Sequence, residues 1–170
     1  MQPVFENKTV LTEDLYMSGI KEYYKIGHRF SRSLAVAYAV VMLGFAGIFL
    51  YDLNIVLGIP FLLASVLILF WQFKGYLISA KKSFKNFAVL HQSHYEVEME
   101  YRFYEKRLEQ ETEKTELGVE YKNISHVYNF PDVLLFVYDK SVIIMDKQGF
   151  VRGSAEEVQE LMRQNNVKVH

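Results

Sequence analysis

Two histidines close together are the side chains with the clearest potential for metal chemistry. His91 and His94 form an H-x2-H pair, and two imidazoles at that spacing could contribute to a metal site. No clear third ligand stands beside them, because Glu96 and Glu98 would share the water-facing side of a strand with other solvated charges. We therefore interpret the pair as part of a polar linker, and we predict no metal and no other cofactor.

Alternating carboxylates are the second group that could do chemistry. Rows of three glutamates begin at Glu96 and at Glu109, with one glutamate at every second position. Acid–base catalysis needs two carboxyls whose pKa values are separated by burial or mutual repulsion, and a row facing water on one side does not provide that. His126 fits a half-buried strand residue better than a base. With no phosphate loop, GxSxG elbow, HExxH helix or Walker lysine in the sequence, we predict that the protein is not an enzyme.

The composition excludes several classes of protein. The 170 residues include 19 Lys plus Arg and 20 Asp plus Glu, so the net charge of −1 lacks the basic excess of a nucleic-acid-binding protein. The absence of cysteine excludes disulfides, thiolate catalysis and cysteine-containing metal sites. The charges are distributed unevenly, because Asp52 is the only charged residue between Leu34 and Phe73. The chain is therefore amphiphilic by segment.

Two uncharged segments, residues 34–51 and 55–73, predict a transmembrane hairpin over residues 34–73. As helices they would be about 27 to 29 Å long, which is close to the thickness of the hydrocarbon core of a bilayer. Both are apolar on all sides, and too little chain remains to bury them in a soluble core. A cleaved signal peptide fits poorly, because the first apolar run begins behind a stretch of mixed charge.

Basic residues on both flanks of the hairpin predict its orientation. The turn between the spans has no basic residue, so the positive-inside rule places both termini in the cytoplasm. The flanking basic residues are Lys21, Lys25, Arg29 and Arg32 before the first span and Lys74, Lys81, Lys82 and Lys85 after the second.

Small residues within the spans predict close packing of the two helices. Ala35, Ala39 and Ala46 would lie on one face of the first helix, and Gly58 and Ser65 on one face of the second. No ionisable group lies inside either span, which favours an anchor over a proton relay or an ion pathway. A pore built by a homo-oligomer is a less favoured alternative.

The segments beside the hairpin predict helices. Residues 1–33 form a cytosolic segment with an amphipathic helix capped by Thr12, and residues 74–90 form a basic helical stalk. Basic residues near the membrane could bind anionic lipid, although we favour a purely topological role for them. The candidate lipid contacts are Arg29, Arg32, Lys81, Lys82 and Lys85.

Residues 91–170 predict a separate cytosolic domain built mainly from strands. Apolar residues alternate with polar ones, and Ser154 begins a capping-box pattern ahead of a terminal helix. The expected strands cover residues 96–103, 107–112, 116–121, 125–130, 133–138 and 141–145. The predicted fold is therefore α+β, with a transmembrane hairpin and a small antiparallel sheet or open barrel closed by a C-terminal helix.

Four segments in this order resemble the YcxB-like family of bacterial membrane proteins. They are Tyr101–Glu105, Tyr121–Tyr128, Val133–Tyr138 and Ile143–Phe150. The hairpin and the opening at residues 11–15 are also similar, but the insertion of residues 151–153 before the last helix departs from the family pattern. The resemblance implies a pleckstrin-homology-like fold for residues 91–170 and a location in the bacterial inner membrane, without an established activity. The residues of the family-like core pattern are Tyr121, Ile124, Val127, Phe136, Ile144 and Phe150.

The charge of the two cytosolic parts guides the functional prediction. Residues 91–170 carry a net charge of −5, and residues 74–90 carry +4. The acidic domain would be held off an anionic leaflet, which favours a protein partner over lipid headgroups. We predict a non-enzymatic module for protein interaction or regulation at the inner membrane, with lipid binding as the alternative and homo-oligomerisation left open.

Overall fold

The chain folds into two compact units. The computed structural model describes residues 2–27, 29–90, 96–139 and 141–170. One unit, called here the sheet unit, combines Met1–Tyr23 with Lys81–His170. The other, the helical unit, is Tyr24–Ala80. The helical unit is thus an insertion in the chain that forms the sheet unit.

The described residues form nine strands and five α-helices. The strands are β1 (Phe5–Thr12), β2 (Glu96–Phe103), β3 (Arg107–Glu111), β4 (Glu116–Glu120), β5 (Ile124–Asn129), β6 (Val133–Tyr138), β7 (Ser141–Asp146), β8 (Phe150–Arg152) and β9 (Lys168–Val169). The helices are α1 (Glu13–Gly27), α2 (Arg29–Tyr51), α3 (Ile55–Phe70), α4 (Tyr76–Leu90) and α5 (Ala155–Gln164), with a π-helical turn at Trp71–Gly75.

The first sheet has the strand order β4-β3-β2-β1-β8 and is antiparallel throughout. Met99, Tyr101 and Phe103 on β2 are buried on its inner face, while Glu96 and Glu98 are exposed on the outer face. This is the one-sided burial that an alternating sequence produces in a sheet with one solvated face. The predicted positions of the glutamate row on β2 are therefore confirmed.

The second sheet has the order β7-β6-β5-β9, with β9 parallel to β5. Its strand β6 is a continuous apolar run, because both faces of this sheet are covered. On one face, the ring of Phe136 lies 5.9 Å from that of Phe103 in the first sheet. On the other face α1 approaches closely, since a Cβ added at Gly19 would lie 3.1 Å from the Ile144 side chain.

Helix α5 closes the sheet unit, as the sequence predicts. The Ser154 hydroxyl accepts a hydrogen bond from the Glu157 amide at 3.3 Å, so the cap is in place. Val158 and Met162, one turn apart, are fully buried in the core. The cap of α1 is also confirmed, because the Thr12 hydroxyl accepts from the Leu15 amide at 3.2 Å.

The sheet architecture corrects the prediction in two ways. One small sheet or an open barrel of about six strands was expected, whereas the described residues form two sheets and no closed barrel. Residues 5–12, expected in a separate N-terminal segment, form β1 between β2 and β8. The sequence of β1 does not alternate between apolar and polar residues, because its inward positions include the polar residues Asn7 and Thr9, which are both buried.

The helical unit is built on two long apolar helices. Phe30–Tyr51 and Ile55–Leu90 are each long and apolar enough to cross a membrane, and 11% of the most apolar window in each is buried. The last ten residues of the second helix, from Lys81, belong to the sheet unit. Asn54 caps α3 by accepting a hydrogen bond from the Leu57 amide at 3.4 Å. The turn between the helices is tight, with Leu53 at a φ of 55°.

Small residues bring α2 and α3 together, as predicted. Ala39, Ala46, Gly58 and Ser65 are buried, although most surrounding side chains are exposed. Ala35, predicted on the same face of α2, is only half-buried. A Cβ at Gly58 would lie 2.6 Å from the side chain of Leu50, so the glycine is what permits the close approach. The Ser65 hydroxyl is satisfied within α3, donating to the Leu62 carbonyl at 2.7 Å.

Candidate functional site

The predicted lipid contacts on α4, which are Lys81, Lys82 and Lys85, differ in their ion pairing. The Lys81 ammonium forms an ion pair with Glu13 at 2.8 Å, which ties α4 to α1 within the sheet unit. Lys82 and Lys85 are exposed and have no ion-pair partner among the described residues. The free positive charge of this helix is therefore concentrated on Lys82 and Lys85.

The arginine contacts lie at the start of α2. The Arg32 guanidinium carbon lies 4.9 Å from the centre of the Tyr24 ring, and that ring stacks on Tyr76 with centroids 4.0 Å apart. The Arg32 Nε is buried, with no hydrogen-bond partner among the residues described. Arg32 thus takes part in an aromatic stack, and Arg29 is the first residue of α2.

The family-like pattern falls in the core of the sheet unit. Tyr121, Ile124, Val127, Phe136 and Ile144 are buried, and Phe150 is half-buried against them. Burial raises the pKa of the Tyr121 phenol, whose hydroxyl donates to the Tyr104 carbonyl. These residues hold the fold together and offer no exposed chemical group.

A cavity of about 410 Å³ lies inside the sheet unit. It is bounded by the inner face of the first sheet, the start of β7, and side chains from α1 and α4. The strand register places Tyr101, Gln110 and Leu117 side by side on that inner face. None of the described residues that line the cavity is charged.

Tyr101 fixes the floor of this cavity. Its hydroxyl donates to the Ile144 carbonyl at 3.1 Å and lies 2.9 Å from the Met99 sulfur. Complete burial raises the pKa of Tyr101 far above its ordinary value, so the phenol stays neutral. The side-chain amide of Gln110 donates a long hydrogen bond to the Met99 sulfur, at 3.9 Å. The cavity can therefore hold apolar matter, and none of the described residues that line it is Asp, Glu, His, Lys or Arg.

A second cavity of similar size lies on the outer face of the first sheet. Carboxylates of β2 and β3 line it together with Lys8. Lys8 forms an ion pair with Glu100 at 2.6 Å, and its hydrogen bond lowers the pKa of the Glu100 carboxyl. Arg102 forms an ion pair with Glu111 at 2.7 Å. This is a solvated charged surface, where individual ion pairs contribute little to stability.

His126 is a half-buried strand residue, as predicted, and it has a histidine neighbour that the sequence did not reveal. Its Nδ1 lies 3.1 Å from Nε2 of His170, and both rings stack near Tyr128. Burial, together with the charges of His170 and Lys168, lowers the pKa of His126. The two histidines lie close together because β9 pairs in parallel with β5. No local sequence pattern predicts this strand pairing.

The structure brings no metal-binding group together in the part of the chain that it describes. No cluster of three His, Asp or Glu side chains suited to a metal occurs there. His91 and His94 lie outside the described residues. The two buried polar residues of β1 act structurally, since Asn7 donates to the Asp146 carbonyl at 2.7 Å and Thr9 accepts from the Asp146 amide at 2.9 Å.

Comparison with known proteins does not assign the chain to a family. No family model matches it, and no curated protein or solved structure is significantly similar to it. The resemblance to the YcxB-like family stays a prediction.

Proposed function

We propose that this protein is a non-enzymatic module of the bacterial inner membrane, in which α2 and α3 span the bilayer and the sheet unit binds or regulates a protein partner in the cytosol. The observation that carries the proposal is the exposure of the two apolar helices. Val40 and Leu67, for example, are 60% and 65% exposed. Exposed aliphatic surface on this scale is unfavourable in water and favourable in lipid.

The basic flanks support a cytosolic location for both termini. We further propose that the sheet unit has a pleckstrin-homology-like fold of the YcxB-like type. Two packed sheets with a C-terminal helix in the core support this proposal. An experimental structure of the full chain in lipid would test the fold directly.

The lack of cysteine allows a direct test of the topology. Asp52 lies in the turn between α2 and α3, and Lys114 lies in the β3–β4 turn, both exposed. Single variants Asp52→Cys and Lys114→Cys would be treated with a membrane-impermeant maleimide in intact spheroplasts. We expect labelling of Asp52→Cys in intact spheroplasts and of Lys114→Cys only after the spheroplasts are lysed.

The parent chain is the control, because it has no thiol and must remain unlabelled. Labelling of Lys114→Cys in intact spheroplasts would contradict a cytosolic sheet unit. Recovery of either variant in the soluble fraction after lysis would contradict membrane insertion itself.

A protein partner can be sought from the outer face of the first sheet. A Cβ added at Gly118 on β4 would meet no atom within 4 Å, so this position is open for a photo-reactive phenylalanine analogue. The matched control is Gln164, an exposed residue at the end of α5. We expect a discrete crosslinked product in native membranes from position 118 but not from 164. The lack of any product from position 118 would count against this face as the docking surface.

Binding of anionic lipid is a second candidate, favoured by the unpaired charges of Lys82 and Lys85. The variant Lys82→Gln/Lys85→Gln should reduce the enrichment of phosphatidylglycerol around the protein in mixed-lipid nanodiscs, whereas Lys81→Gln, whose charge is shared with Glu13, should reduce it less. The enrichment should also weaken at high salt. Equal effects of the two variants would indicate that no specific lipid contact exists on α4.

A further inference from the structure

The cavity inside the sheet unit has the size and lining of a ligand site. Its volume of about 410 Å³ lies in the range of small-molecule sites, which are mostly apolar with a few polar groups. Its floor is formed by the buried residues Leu11, Met99 and Tyr101. Thr115 and Ser141, which also line it, are exposed, so they lie where the cavity meets solvent.

This gradient of polarity identifies the class of ligand. The lining has no charged side chain among the described residues, so it offers no partner to a phosphate, a carboxylate or an ammonium group inside the cavity. The Tyr101 hydroxyl already donates to Ile144, which removes the strongest hydrogen-bond donor on the floor. This lining suits an apolar chain whose apolar end lies on the floor of the cavity. The polar end of the same chain would lie at the mouth, beside the hydroxyls of Thr115 and Ser141.

We propose that this cavity binds one alkyl chain, supplied either by a free fatty acid or by a membrane lipid. Apolar side chains on two walls suit such an occupant, because Leu117 and Val142 are only half-buried and can adjust to a linear chain without breaking a side-chain hydrogen bond. The proposal depends on the sheet unit alone. It therefore stands or fails independently of the topology proposed for α2 and α3.

The test uses the full chain in lipid nanodiscs without detergent, so that one of the two proposed sources of the chain, a membrane lipid, is present in a bilayer. Two probes distinguish the sources of the chain: a diazirine-bearing palmitate and a phospholipid with the diazirine in its acyl chain. After irradiation, the crosslinked peptides are identified by mass spectrometry. We expect labelling of peptides that contain Met99, Leu117 or Val142 by at least one probe, and the probe that labels them identifies the source.

Two neighbouring positions on β4 provide a matched pair of variants. Leu117 points into the cavity, whereas Gly118 faces open space on the opposite side of the strand. Leu117→Trp should fill the cavity and reduce its labelling at least tenfold, while Gly118→Trp should leave it unchanged. Val142→Phe, from the other wall, is the second filling variant if Leu117→Trp fails to fold by circular dichroism.

Chain length provides an independent readout. Because the bilayer and the cavity are both apolar, saturated fatty acids compared at equal mole fraction in the nanodisc should compete with the palmitate probe until the chain is too long for the cavity, and longer chains should compete less. Labelling confined to peptides outside the cavity, equal labelling of the two tryptophan variants, or competition independent of chain length would each overturn the proposal. So would displacement of the probe by a charged or aromatic compound but not by any fatty acid.

Discussion

The two units differ in which apolar side chains are buried and which are exposed. In the helical unit, small residues such as Ala39 and Ser65 are buried, and large aliphatic residues such as Leu67 are exposed. In the sheet unit, large apolar side chains fill the core, and charged residues cover the outer face of the first sheet. This difference is what the proposed membrane insertion of α2 and α3 would produce, since lipid removes the hydrophobic drive for burial and leaves close packing as the main attraction.

The largest effect should come from the core of the sheet unit. Phe103 and Phe136 are fully buried and contact each other across the two sheets. Phe136→Ala removes a large ring from this contact and should lower the free energy of unfolding by about 3 to 5 kcal/mol. Hydrogen exchange in nanodiscs should then show loss of protection in β5 to β7, with α2 and α3 still protected.

A conservative control is Val151→Ala, since Val151 is 62% exposed on β8 and should contribute little. If Phe136→Ala also removed the protection of α2 and α3, the two units would not be separate folding units and the comparison would fail.

The next effect concerns the contact between α2 and α3. Gly58→Leu places a side chain where Leu50 already lies, and overpacking of this kind costs about 1 to 3 kcal/mol. Gly44→Leu and Gly47→Leu are matched controls, because both glycines of α2 face open space. Thermal unfolding in detergent should show a lower midpoint for the Gly58 variant alone. Equal midpoints for all three variants would indicate that α2 and α3 do not pack through Gly58.

A comparable or smaller effect is expected from the buried polar residues of β1. Thr9→Val keeps the shape of the side chain but leaves the Asp146 amide without its acceptor, which costs about 1 to 3 kcal/mol. Val10→Thr, on the solvated side of the same strand, is the control and should be nearly neutral. Urea unfolding of the two variants would measure the difference. A neutral Thr9→Val would show that β1 is held in the sheet without this hydrogen bond.

The same residues explain how much of the structure the sequence could predict. Uniform apolar runs and strict alternation predicted α2, α3 and strands β2 to β7 to within one residue or two, except for the start of α2 and the end of the second span, because burial there follows a local period. Strand β1 escaped prediction because Asn7 and Thr9 occupy its inward positions and are satisfied by the distant Asp146. Strands β8 and β9 are too short to carry a pattern and exist through pairing alone.

The candidate site was less predictable than the fold, since it depends on contacts between distant segments. Lys81 could be recognised as a basic residue, but its ion pair with Glu13 required the packing of α1 against α4. The cavity likewise joins residues from β1, α1, α4 and β7, which no spacing in the sequence connects. Tertiary structure was therefore needed to separate Lys82 and Lys85 from the other predicted lipid contacts.

The smallest predicted effect is a pH dependence of the stability of the sheet unit, caused by His126. Burial and the nearby charges of His170 and Lys168 lower the pKa of His126 in the folded protein, so near pH 6 the unfolded chain binds the proton more readily. The free energy of unfolding of the sheet unit should therefore be unaffected well above about pH 6.5, should decrease as the pH falls through that value, and should level off below the folded pKa. Because His126 is partly solvated, the decrease should be modest. Hydrogen exchange of β5 and β9 at pH 7.5 and 5.5 would measure it, and His126→Gln should abolish most of the difference. The same loss in wild type and variant would place the pH dependence elsewhere in the chain.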